Sequence, residues 1–152
     1  MKQEKTTVVE HHNFQGEYRI LRLAAPETGP LVKPGQFLHL LIPHLGDRIL
    51  RRPFSIYKAD AEGVSILYKP VGRGTDSMRP LQVGDTVDII GPLGNGFDLS
   101  GKLPDVAILV GGGFGLVPLF PLAAALRERG KDVYVFVGTE EDLVAPRNKP
   151  NN

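Results

Sequence analysis

The 152-residue chain contains no cysteine, which excludes disulfides, thiolate zinc sites and cysteine-ligated iron–sulfur clusters within it. It has no apolar run of the ~18 residues that a membrane-crossing helix needs. Its polar start, Met1-Lys2-Gln3-Glu4-Lys5, lacks the apolar centre of a secretory signal, so the expected location is the cytoplasm. Neither sign of charge dominates: 18 Lys and Arg stand against 17 Asp and Glu. Composition therefore points to no nucleic-acid partner and no membrane partner. Internal repeats and low-complexity segments are absent as well. Of the four histidines, His11 and His12 are neighbours on a predicted strand and point to opposite faces. His39 and His44 lack a spaced carboxylate, so no metal site is expected.

What is present is globular: 41% apolar and 23% charged residues suffice for a buried core in one domain, or in a barrel plus the start of an α/β unit. Up to about residue 102 the chain reads as short strands punctuated by Gly and Pro. The spacing predicts strands at 6–12, 18–24, 36–42, 53–57, 64–71 and 86–90, rich in β-branched, aromatic and leucine residues. Turn signals such as Lys33-Pro34-Gly35 and Val83-Gly84-Asp85 favour an antiparallel barrel or sandwich. In Tyr18 to Leu23 one register exposes Arg19 and another Arg22, so alternation alone leaves the facing open.

From residue 103 the pattern changes. Asp105 to Val110 is a nearly unbroken apolar run, as in a buried parallel strand, and it leads into Gly111-Gly112-Gly113-Phe114-Gly115. A helix is expected directly afterwards, with Leu119, Leu122, Ala123 and Leu126 at helical spacing, Pro118 and Pro121 in its first turn and Gly130 as its cap. A strand at 132–137 completes one right-handed βαβ unit. The remainder, 138–152, ends in Ala145 to Asn152, which reads as a disordered tail. Two strands fall short of the about five or six of an ordinary sheet. The chain therefore reads as a truncated form, a fragment, or a protein that completes its sheet with another molecule.

Three segments carry chemistry in the barrel region. Arg52-Pro53-Phe54-Ser55 puts Arg52 and Phe54 on one strand face, where an Arg can bond a pyrophosphate and an aromatic can pack on a flat ring, with a Ser hydroxyl beside them. A surface Arg beside a core Phe reads equally well from these four residues alone. Leu67-Tyr68-Lys69 runs toward Gly72-Arg73-Gly74-Thr75, followed by a short helix expected near 76–78. Glycines there allow close approach of a phosphate, and the Thr75 hydroxyl could donate to it; a plain β-turn is the alternative. The third segment, Ile90-Gly91-Pro92-Leu93-Gly94-Asn95-Gly96-Phe97, reads by itself as a linker. In the glycine loop, Pro118 stands where the third glycine of a dinucleotide-binding Rossmann signature would fall, so the loop is either a different nucleotide-binding turn or a tight strand-to-helix turn.

Taken in order, Pro34-Gly35-Gln36-Phe37, Arg-Pro-Phe-Ser, Gly-x-Gly-Thr, Gly-Pro-Leu-Gly-Asn-Gly-Phe and Gly-Gly-Gly-x-Gly-x-x-Pro resemble the electron-transfer subunit of class 1B dihydroorotate dehydrogenase, within the ferredoxin-reductase-like flavoproteins. The resemblance runs to about Leu143. It implies a β plus α/β fold: an antiparallel six-stranded FAD-binding barrel of ferredoxin-reductase type over 1–102, then an incomplete parallel nucleotide-binding unit over 103–152. It implies FAD held by Arg52, Pro53, Phe54, Ser55, Leu67, Tyr68, Lys69, Gly74 and Thr75, with Arg52 on phosphate and Ser55 near flavin N5. Gly111, Gly112, Gly113 and Gly115 would hold the pyrophosphate of NAD(H), with 138–143 weakly matched to its adenosine end. The implied function is electron transfer from NADH through FAD, in pyrimidine biosynthesis, to a catalytic dihydroorotate dehydrogenase subunit, with no side-chain catalyst because the cofactor does the chemistry. The family continues into further strands and a cysteine cluster holding an iron–sulfur centre, which this sequence lacks, so only a partial NAD site and poor NADH oxidation are expected. Rival readings are a non-catalytic flavin-binding or interaction remnant and a piece of a ferredoxin–NAD(P) or hydrogenase-associated reductase. The unpaired edge of the 132–137 strand adds an expected homodimer or a disordered C-terminal segment.

Overall fold

A computed structural model describes residues 1–42 and 51–138. His44 and the stretch 139–143 lie outside the described residues. Six strands, β1 (Lys2–Gln15), β2 (Tyr18–Ala24), β3 (Phe37–Leu41), β4 (Arg51–Ala59), β5 (Gly63–Tyr68) and β6 (Thr86–Leu93), close into an antiparallel barrel in the order β1-β2-β5-β4-β3-β6. All six predicted strands are there. β1 is longer than its sequence signal, at 14 residues, because it serves two neighbours. Lys2 to Thr7 pair with β6, Thr7 to Gln15 pair with β2, and an irregularity between Val8 and Glu10 bends the strand between these tasks.

Inward side chains set the register. Val8, Leu21, Leu23, Leu38, Leu40, Ile66 and Ile89 are fully buried, and burying a side chain of this kind stabilises by about 1.5–3 kcal/mol. The open question on β2 is answered by Leu21 and Leu23 pointing inward. Arg22 lies outward, where both Nη2 contacts to the Asp60 carboxylate are 2.8 Å. Arg19 shares the inward parity but lies near the barrel's end, reaching the Arg79 carbonyl at 3.4 Å. One carboxylate is nearly buried: Glu4 accepts hydrogen bonds from the backbone N–H groups of Glu27 and Thr28 and from the Thr28 hydroxyl, which compensate its removal from water.

Two of the family-like motifs hold each other. Phe97 N–H donates to the Pro34 carbonyl at 2.8 Å, and Gln36 Nε2 donates to the Gly94 carbonyl at 2.9 Å. Gly35, at φ 91°, lies where an added Cβ would meet the Phe97 ring at 2.7 Å. Only glycine satisfies both conditions. The segment expected as a linker is thus a clasp joining the end of β6 to the turn before β3.

After the barrel, β7 (Val106–Gly112) and β8 (Asp132–Gly138) form a parallel pair. The helix between them, α2 (Leu119–Glu128), buries Leu122 and Leu126. It does not follow the glycines directly, as periodicity suggested; a 3₁₀ turn at Gly113–Leu116 intervenes. Gly130 follows the helix end at φ 70°, as expected of a C-terminal cap. On the opposite face Val106, Ile108 and Val110 of β7 lie beside Tyr134 and Phe136 of β8, and Ile108 and Val110 are 65% and 74% exposed. Aromatic contacts join this unit to the barrel: Tyr57 meets Phe120 edge-on at 5.2 Å and Tyr18 meets Phe114 at 5.4 Å.

Candidate functional site

Adjacent barrel strands bring two of the motifs together. β4 pairs with β5, which places Pro53, Phe54 and Ser55 beside Leu67, Tyr68 and Lys69. With Val71, Thr75, Phe114 and Val117 they line one cleft of about 240 Å³ at the junction of barrel and α/β unit. Seven of the nine barrel residues singled out from sequence lie on this cleft.

Arg52 and Gly74 lie beside it rather than on its lining. Arg52 is exposed, and its Nε would stand 4.0 Å from a Cβ placed on Gly74, so the guanidinium and the glycine turn border one open space. Among the described residues no carboxylate pairs with Arg52. Arg52 and Phe54 also divide their tasks more than a shared strand face suggests, because Phe54 packs against the barrel core.

The turn after β5 is organised by its own side chain. The Thr75 hydroxyl accepts from the Val71 N–H at 2.9 Å and donates to the Gly72 carbonyl at 3.1 Å. The hydroxyl is thus bonded within the loop, and Thr75 shapes the turn. The short helix α1 (Arg73–Asp76) begins three residues earlier than expected, because the turn closes on Gly72. In such a turn the first N–H groups have no intrahelical acceptor, leaving backbone donors near Arg52.

Tyr68 turns its ring inward and is only 2% exposed. It meets the Phe54 ring edge-on at 6.4 Å, backing that residue at the cleft. Its hydroxyl lies 2.8 Å from His11 Nε2, while His11 Nδ1 lies 2.8 Å from the Leu81 carbonyl. A carbonyl only accepts, so Nδ1 carries the proton and Nε2 accepts from Tyr68. The positive charges of Arg19 and Arg79 lie near enough to favour the ionised phenol. Burial pushes the Tyr68 phenol up and the His11 imidazole down, the latter partly opposed by the Leu81 bond. Sequence reasoning separated His11 from His12 correctly but had no signal for this network, since its partners are 57 and 70 positions away.

Lys69 pairs with Glu17 at 3.1 Å and lies 5.8 Å from the centre of the Tyr18 ring. Ser55 lines the cleft, and among the described residues nothing bonds its hydroxyl. These features fit a flat, partly apolar cofactor carrying phosphate: aromatic and aliphatic walls, a cation at the rim, and a glycine turn with room beside an Arg.

The glycine loop divides into two roles. A Cβ on Gly111 would lie 2.9 Å from Leu119 Cδ1 and 3.2 Å from Leu116 Cδ2, so that glycine lets α2 pack against the end of β7. Gly112 faces the Gly138 carbonyl, whereas Gly113 and Gly115 border open space. Among the described residues no group of three His, Asp or Glu side chains could hold a metal ion, and no helix is long and apolar enough to cross a membrane.

Comparison with known proteins gives a consistent picture. The chain is 37% identical over 147 residues to the dihydroorotate dehydrogenase B (NAD(+)) electron transfer subunit of Enterococcus faecalis, covering 95% of this chain and 56% of that protein. It is 38% identical over 141 residues to the protein of the same name from a Geobacillus species, covering 91% and 55%. Among solved structures, an NADH-dependent reduced ferredoxin-NADP oxidoreductase superposes with a TM-score of 0.76 at 25% identity, over 90% of this chain and 49% of that one. The chain thus spans about half the length of the curated relatives it matches. No family model matches it.

Proposed function

Because this chain is homologous to the dihydroorotate dehydrogenase B electron transfer subunits over nearly all of its own length, we propose that it is an FAD-binding oxidoreductase component that passes electrons from NADH toward a catalytic dihydroorotate dehydrogenase subunit in the cytoplasm. The observation that carries this reading is the single cleft formed by 53–55, 67–69 and Thr75, with Arg52 beside the glycine turn. In it, residues 1–102 are the flavin unit and 103–152 the nucleotide unit.

When bound, FAD would supply the redox chemistry, accepting hydride from the nicotinamide and releasing electrons onward. The chain binds and orients. Arg52 and the backbone donors around Gly74 neutralise phosphate, while Pro53, Phe54 and the ends of β5 enclose the ring system. Ser55 offers its hydroxyl to the flavin edge at N5. On the nucleotide side, Gly113 and Gly115 offer backbone to a pyrophosphate, and Gly111 and Gly112 act chiefly by letting loop, strand and helix approach. We further infer self-association through the uncovered β7–β8 pair.

Calorimetric titration of the purified chain with FAD tests this. Wild type binds, and Arg52→Ala binds roughly ten- to a hundredfold more weakly, the loss expected for one charge-assisted hydrogen bond. Equal affinities reject the role of Arg52. No binding by wild type rejects the flavin site itself and favours a non-catalytic interaction module.

A further inference from the structure

Between the last two glycines of the glycine-rich loop of the α/β unit stands one residue with a side chain, Phe114. A tight turn or a pyrophosphate loop asks nothing of that side chain. Yet Phe114 reaches the cleft, where it joins Ser55, Lys69 and Thr75 in the lining while remaining 43% exposed. Its one ring partner among the described residues is Tyr18, at 5.4 Å and 53°, and Tyr18 in turn lies under the Lys69 ammonium.

A large apolar ring left nearly half exposed on the wall of a cleft, with one tilted ring neighbour, is unlike a core residue. Val117, one turn further on, also lines the cleft but is buried at 3% exposure, so the loop could have buried an apolar group there. We propose that Phe114 is a ring-binding residue of the flavin cleft: backed by Tyr18, it supplies an aromatic wall for a planar cofactor ring from the nucleotide-binding loop, so that the two sites share one side chain. This rests on the flavin reading above and adds a residue which that reading does not require.

The energetic basis is ring against ring. Offset or edge-on aromatic contacts contribute beyond the area they bury, whereas an aliphatic replacement keeps area and loses the ring. The geometry also gives the loop a lever. The loop's backbone would meet the nucleotide while its side chain meets the flavin, so a shift of the loop moves both.

The test uses the whole chain with FAD, comparing Phe114→Ala, Phe114→Leu and Phe114→Tyr. Partial exposure makes these variants tolerable to folding, and far-ultraviolet circular dichroism verifies that. Phe114→Ala should weaken FAD binding by about five- to tenfold and alter the visible circular dichroism of the bound flavin. Phe114→Leu should fall between, and Phe114→Tyr should restore affinity to within about twofold together with the wild-type flavin signal. If all three variants match wild type in affinity and flavin dichroism, or if leucine restores both as well as tyrosine does, the assignment is overturned. If wild type binds no FAD, the underlying flavin reading falls and this proposal falls with it, a result distinct from loss in the variants alone.

Discussion

His11 shows how a residue remote in sequence supports the cleft. Its Nδ1–H donates to the Leu81 carbonyl and its Nε2 accepts from Tyr68, which backs Phe54. Arg19 and His12 oppose a positive charge on the ring, and burial opposes it more strongly, so the folded state holds the imidazole below its ordinary value. Arg79 faces the same network through Tyr68. The unfolded chain therefore takes up the proton first as pH falls below about 6.5, and stability drops from there until pH passes the lower folded-state value. His11→Gln, which cannot titrate, should reduce that slope: the wild-type melting temperature should fall by a few degrees more than the variant's between pH 7.5 and pH 5. Parallel melting curves would contradict this. Sequence readily marked Arg52 to Ser55 and the glycine turn, because they lie in short contiguous runs. It missed His11 and Phe114, whose significance comes from neighbours that only barrel closure and the docking of α2 bring near.

At the scale of elements, period-2 hydrophobicity and turn residues located every barrel strand, and an apolar run ending in glycines located β7. The extension of β1 and the clasp between Gln36 and Gly94 were invisible, since both arise from long-range pairing rather than local preference. The same limit applies to β7 and β8, whose apolar face carries Ile108, Val110, Tyr134 and Phe136 into solvent. Parallel sheets are ordinarily covered on both faces, and an exposed patch of this kind drives association. The chain is therefore expected to form a dimer through this pair, with light scattering after gel filtration giving twice the chain mass. Ile108→Lys with Phe136→Lys should return it to monomer without lowering FAD affinity. A wild-type monomer with strong hydrogen-exchange protection across 106–138 would contradict the expectation.

For the molecule as a whole, the closed barrel contrasts with an α/β portion of two strands and one helix among the described residues. On the proposed reading, the barrel side supplies cleft walls for a flavin, while the α/β side supplies one loop for a pyrophosphate. FAD bound to this chain should consequently be reduced slowly by NADH, without saturation at micromolar concentrations. Stopped-flow bleaching of the flavin reads this directly, and rapid saturable reduction would mean that a single βαβ unit is a sufficient nucleotide site.

The pairing of β1 with β6 also bears on how the chain is made. The Thr6 hydroxyl donates to the carbonyl of Val87, 81 positions later, so the first strand of the barrel must wait for its last strand before its outer edge is satisfied. β2 can pair with β1 at once, but the ring cannot close until Thr86–Leu93 has emerged. Throughout that interval the nascent chain carries an open edge on β1, and a pause in translation before residue 86 prolongs the period in which chaperones, or a neighbouring nascent chain, can reach it.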